Sequence, residues 1–338
     1  MADLSDCRLT TGTVAGWEAL TLENGLIRVV VLPQRGAEIL NFVHAPSGVD
    51  AMYQSYWGLQ PPGAPHREGS GEREFEWNYG GGWQELFPSA HYACTYQGRP
   101  MPYHGEVATL PWDVTVVTEG PDELTVQFAV RCRQSPFRLE RGMTLKRGEP
   151  TVYFEASATN EADNPAHLVW GQHAVVGAPF LEAGCRLEIP GGAFHTPPAI
   201  LDEAARLLPG QRERWPMARR RTGGRMDLQE VLGPEARSHD VVFVTELRAG
   251  RLAVTNPRLN LAFSLHWDPA VYKWVAVWLP YGGPEKMPLT GVYALGIEPW
   301  SAPHNLERAI QAGDAIVVAG RGTLRTAFQA RFAPPAAA

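Results

Sequence analysis

Cysteine is scarce in this 338-residue chain. There are four, Cys7, Cys94, Cys132 and Cys185, and no two form a Cys-x-x-Cys pair, so neither a zinc knuckle nor a dithiol redox site is indicated. Reduced, mostly structural thiols are expected. A close His-x-His pair is also missing, and His167 and His173 stand six positions apart, which argues against a metal-dependent β-barrel enzyme. No metal and no cofactor are expected. No apolar run approaches the roughly 20 residues that span a bilayer, and the opening MADLSDCRLT lacks a basic-then-apolar secretion pattern. That reading gives a cytoplasmic protein with no membrane partner. Lysine is rare beside arginine, and a net charge of -6 with mixed signs offers no broad attraction for nucleic acid. A small neutral or weakly charged molecule is the expected partner, with the oligomeric state left open.

What the chain does contain is short β-forming segments. Runs rich in Val, Ile, Leu, Thr and aromatics occur at residues 26–32, 37–43, 114–118, 124–131, 143–146, 151–158, 241–245, 261–267, 273–279 and 323–328, punctuated by Gly, Pro, Asn and Asp. Two short helices are predicted: residues 305–313, with Asn305 and Gly313 as caps, and residues 201–208. Strands do not alternate with long helices, which removes the Rossmann and TIM-barrel folds and leaves an all-β sandwich or barrel. Residues 60–76 and 212–225 read as long loops, the kind that serve as lids or binding edges. No repeat or linker divides the chain, so residues 1–338 are expected to form a single domain, with 333–338 a disordered tail.

Three clusters could carry chemistry. The first is Gly80-Gly81-Gly82-Trp83-Gln84-Glu85, followed by His104-Gly105-Glu106 and Trp112; glycines permit close backbone approach, and flat indoles suit sugar rings. The second ends a strand at Trp170-Gly171-Gln172-His173, where an imidazole can reach a cleft and move protons near neutrality. The third is Gly296-Ile297-Glu298-Pro299-Trp300, whose apolar flanks would desolvate Glu298 and raise its pKa toward that of a general base. Each alone also fits a structural role: a glycine turn with core tryptophans, a hydrogen-bonded histidine, a salt-bridged carboxylate. Trp274, Ala276 and Trp278 point together on one strand face, lining either the cleft or the core. Arg219-Arg220-Arg221 invites a phosphate reading but better fits a solvated loop.

Taken in order, with Glu23-Asn24-Gly25 and Leu32-Pro33-Gln34-Arg35-Gly36 ahead of them, these motifs resemble the aldose 1-epimerase or galactose mutarotase-like superfamily over residues 23–328. The resemblance implies a large antiparallel β-sandwich with a few short helices. It implies a cofactor-free isomerase that interconverts α and β anomers of a sugar, with His104 beside the ring oxygen, His173 as acid and Glu298 as base. Trp83, Gln84, Glu106, Asp240 and Trp278 become the expected sugar contacts. Where hexose members place an arginine after His-Gly, this chain has Glu106-Val107-Ala108, which moves the question to which sugar enters. The alternative is a non-catalytic carbohydrate-binding or regulatory protein on the same scaffold, which could dispense with Glu298.

Overall fold

The structure, a computed structural model, describes residues 6–64 and 72–335. Two large antiparallel sheets lie face to face. The first has twelve strands, and its centre runs in the order Glu38–His44, Trp83–Leu86, Gly171–Val176, Leu295–Trp300, Trp274–Tyr281, Ser238–Thr245. The second has eight, including Phe137–Lys146, Thr151–Asn160 and Thr323–Ala333. Strand periodicity explains the second sheet directly. In Glu123–Arg131 the alternate residues Leu124, Val126, Phe128 and Val130 are buried while their neighbours are half-exposed.

The core fills the space between the sheets. Trp83 of the first sheet packs on Phe154 and Phe328 of the second, at ring centroids 5.4 and 5.7 Å apart, and Phe42 packs edge-on against Phe263. Within this core sits one ion pair. Arg141 Nη1 donates to Glu85 Oε2 at 3.1 Å, and Glu85 Oε1 also accepts from Trp170 Nε1 at 2.5 Å and Gln172 Nε2 at 2.6 Å. The guanidinium further donates to the Ala37 carbonyl and lies over the rings of Trp112 and Phe128. Trp112, expected at a cleft edge, is therefore a core residue.

The central strands of the first sheet carry a second buried face. Gly171–Val176 is buried at every position because Ala174 and Val176 join the inter-sheet core while Val175 packs with Tyr53, Tyr79 and Ala294 on the opposite side. That opposite side, roofed by loops, holds the cleft.

Several element boundaries differ from expectation. Asn305 caps the helix Leu306–Ala312 through the Arg308 N–H at 3.0 Å, and Gly313 closes it in a left-handed conformation, both as expected. Residues 201–208 form turns instead of a helix. Asp202 accepts from the Ala204 N–H, and Asp240 accepts from the Arg206 and Leu207 N–H groups, so side chains take the amides a helix would use. The expected loop 60–76 ends in the helix Glu72–Asn78, and part of it, 65–71, lies outside the described residues. The expected loop 212–225 contains strands at Arg212–Arg214, Met217–Arg219 and Arg225–Asp227, with Arg219 and Arg225 paired to Glu213. Ala333, expected in the tail, ends the last strand, and residues 336–338 are outside those described. Among the described residues no helix is long and apolar enough to cross a membrane.

Candidate active site

Antiparallel pairing brings the cleft residues together. His173 lies opposite Gln84 on one neighbouring strand, and the strand holding Glu298 flanks it on the other side. His173 Nε2 stands 3.9 Å from Glu298 Oε1. Both side chains are buried. His104 closes the arrangement from a turn, its ring centroid 5.1 Å from that of His173. The turn is built by two successive left-handed residues, His104 at φ 63° and Gly105 at φ 79°. A Cβ at Gly105 would meet the Phe87 carbonyl at 2.4 Å, so the glycine is required by backbone contact.

Gln84 fixes the orientation of His173. Its amide Nε2 donates to the Gly81 carbonyl at 2.6 Å, which turns Oε1 toward His173 Nδ1 at 3.0 Å. A carbonyl oxygen can only accept, so Nδ1 carries the proton and Nε2 faces Glu298. Gln84, expected as a sugar contact, thus positions the imidazole.

Burial sets the charge states. Desolvation pushes His173 down to about 4 and His104 well below the ordinary histidine range, with His173 and His91 adding to the second effect. The same desolvation pushes Glu298 well above the ordinary carboxylate range. Trp300 pulls Glu298 weakly the other way, but its indole N–H completes no hydrogen bond. Burial thus disfavours the charged form of both the imidazole and the carboxyl.

Aromatic rings wall the pocket. Phe75 meets His104 and His173 edge-on at 4.7 and 5.8 Å, Tyr79 meets His173 at 5.3 Å, and Trp278 and Trp300 line the same pocket. Trp278 takes the cleft role the sequence left open; its Nε1 donates to His239 Nε2 at 2.8 Å, and His239 Nδ1 donates to Asp202 at 2.6 Å. His104 Nδ1, the Tyr79 hydroxyl and Trp300 Nε1, all on pocket residues, are buried polar atoms with no protein hydrogen-bond partner.

Three expected contacts are corrected. Trp83 and Asp240 lie on the core side of their strands, because each is one residue away from the cleft-facing Gln84 and His239. Trp83 Nε1 donates to Gln172, and Asp240 holds the backbone of the 201–208 turns. Glu106 is turned away as well. It accepts from the Arg133 and Gln134 amides and from Ser135 Oγ, at 2.5, 2.9 and 2.8 Å, and so anchors the hairpin between two strands of the second sheet. In the other direction, His91, His239, Tyr79, Phe75 and Phe243 line the pocket without having been anticipated. The alternation of residues 238–245 could have revealed His239 and Phe243. Among the described residues no group of three or more His, Cys, Asp or Glu is placed to hold a metal ion.

The fold is that of the galactose mutarotase-like proteins. A candidate aldose 1-epimerase from Klebsiella pneumoniae is similar with a TM-score of 0.71 at 16% identity, covering 93% of this chain and 79% of that one. A galactose mutarotase related enzyme from Lactobacillus acidophilus has a TM-score of 0.63 at 16% identity, covering 93% and 97%. A galactose mutarotase-like protein from Clostridium acetobutylicum has a TM-score of 0.62 at 13% identity, covering 98% and 99%. Residues 14–198, more than half of the chain, match the family described as Domain of unknown function (DUF4432), and the chain belongs to that family. A search of curated proteins found no match.

The charge states carry a prediction for stability. His91 and His173 are each pushed by burial from 6.5 to about 4. Between those values the unfolded chain binds protons that the folded chain excludes, so folded stability falls as pH drops from about 6.5 to about 4. Each group contributes on the order of 3 kcal/mol to that fall. Glu298 acts with the opposite sign, its contribution being lost as pH rises through its elevated value. Denaturant unfolding near pH 7, 5.5 and 4 should show a steep acid loss that is shallower in His91→Asn. A profile equally steep in that variant would contradict the assignment.

Proposed function

We propose that this protein is an aldose 1-epimerase, an isomerase that interconverts the α and β anomers of a sugar or sugar derivative by opening and reclosing its ring. The observation that carries the reading is the 3.9 Å approach of Glu298 Oε1 to His173 Nε2 inside a buried, aromatic-walled pocket. Opening a hemiacetal requires one proton taken from O1 and one delivered to O5. Both oxygens are bonded to C1, so the acid and the base must be close neighbours, as these two groups are. A protein that only bound carbohydrate would need the aromatic walls but not this facing pair.

The sequence assigned His173 as acid and Glu298 as base. Burial favours the neutral form of both groups, which supports the reverse starting arrangement, with the proton on Glu298 and a free lone pair on His173 Nε2. His173 then takes the O1 proton while Glu298 gives its own to O5; the C1–O5 bond breaks and C1=O1 forms. Rotation about C1–C2 presents the other carbonyl face. Ring closure returns both protons and regenerates the starting pair. His104, neutral and with Nδ1 unpartnered, is suited to hydrogen-bond the ring oxygen. No cofactor enters this scheme.

The reading is tested by dissolving single anomers of a sugar panel and following proton NMR with and without the protein. Acceleration for at least one sugar is expected, and none for any sugar contradicts the reading. The role of Gln84 has its own test. Gln84→Glu places a carboxylate beside His173 Nδ1 and should raise the imidazole pKa by about one unit or more. The acid limb of the pH–rate profile then moves to higher pH. An unmoved limb would show that Gln84 does not act through His173.

A further inference from the structure

The pocket around Glu298 opens into a wider mouth that shares His91, Val241, Phe243 and Leu289 with it. The two regions differ in charge. The floor is desolvated, and burial disfavours the charged forms of His104, His173 and Glu298, while Glu76 lines both regions. Among the described lining residues, fixed positive charge lies farther out, where Lys286 and Arg308 line the mouth. Lys286 is one of only three lysines in the chain. Both side chains are exposed, and neither forms a hydrogen bond or ion pair with a carboxylate among the described contacts. Two carboxylates line the mouth, Glu76 and Asp202, and Asp202 is already bonded to His239.

A stacked ring face connects the two regions. Phe243 stands between His91 and His195, with centroids 5.9 and 5.2 Å away and planes inclined by 25° and 23°. His195 lies only in the mouth, and its Nδ1 is buried without a partner. Desolvation holds His195 at about 4, so that nitrogen belongs to a neutral ring able to hydrogen-bond a ligand.

Resting on the epimerase reading for the inner pocket, we infer that the mouth is a second subsite, which holds an anionic substituent of the sugar remote from the reacting carbon. Lys286 and Arg308 supply its counter-charges, and the His91–Phe243–His195 face lies beneath the linking atoms. A neutral ring in the desolvated floor with its anion turned outward to Lys286 and Arg308 matches this placement, whereas an anion at the floor would be desolvated with no described Lys or Arg beside it. The shared chemistry is a carboxylate or phosphoryl group.

The test measures binding separately from turnover. Calorimetric titration of the full chain with glucose, glucuronate and glucose 6-phosphate should show tighter binding of at least one charged sugar, with added salt weakening only the charged arms. The two charged arms distinguish carboxylate from phosphoryl recognition. Lys286→Gln combined with Arg308→Gln should reduce the charged-over-neutral preference by about tenfold or more. Equal binding of charged and neutral sugars by the wild type, or a preference retained in the double variant, overturns the subsite. Anomer exchange by NMR on the same samples separates the two ideas. Exchange without charge preference removes the subsite and keeps the epimerase, while charge-dependent binding without exchange removes the epimerase and keeps the subsite.

Discussion

Glu298→Gln is expected to lower kcat for anomer exchange by about 10² to 10⁴-fold, the range a single general acid–base group supplies, with KM little changed. Glutamine keeps the shape of the side chain but can neither hold nor release the proton. The carboxylates of Glu106 and Asp240 face away and cannot take over this proton. His173→Gln should cost a similar factor. Because the two groups exchange protons with one substrate in one step, the double variant should lose far less than the product of the single losses. Polarimetric initial rates measure all three. A loss in Glu298→Gln no larger than in the exposed control Glu307→Gln would contradict the role given to this carboxyl.

Arg141→Met is expected to destabilise the fold by about 3 to 5 kcal/mol, because it leaves Glu85 charged and unpaired in the core. Glu85 is wired to the site through the chain itself. It directly follows Gln84, and it accepts from Gln172, which directly precedes His173. Activity should therefore fall together with stability. Adding Glu85→Gln removes the orphaned charge and should recover part of the loss. Denaturant midpoints for the single and double variants measure this. An Arg141→Met protein as stable as the wild type would show that the pair contributes nothing net.

The parts of this molecule that could be read from sequence are those governed by local rules. The helix at Leu306–Ala312 followed its caps, and Leu261–Trp267 followed its apolar run. The strand expected to end at His173 instead runs over Gly171–Val176, a boundary hidden because this segment is buried on both faces and shows no alternation. The motifs brought His104, His173 and Glu298 to one cleft, yet neighbours were confused by a single step. Trp83 and Gln84 were both expected to touch the sugar, but Trp83 faces the core while Gln84 positions His173, and Asp240 was expected where His239 faces the pocket. A strand reverses its faces at every residue, so an error of one position exchanges core for cleft. Glu106 was misread for a different reason: its partners, Arg133 to Ser135, come from a hairpin in the other sheet, a pairing with no trace in the local sequence. The aromatic walls from Phe75 and Tyr79 likewise depend on how residues 72–79 pack over the sheet.

The most direct test of the central claim is two-dimensional exchange NMR on the wild-type protein with an equilibrated sugar, observing the α and β anomeric protons. An epimerase centred on Glu298 and His173 gives cross-peaks between the two resonances that require the protein and vanish in Glu298→Gln. Cross-peaks that persist unchanged in that variant, or their absence for every sugar tested with the wild type, would contradict it.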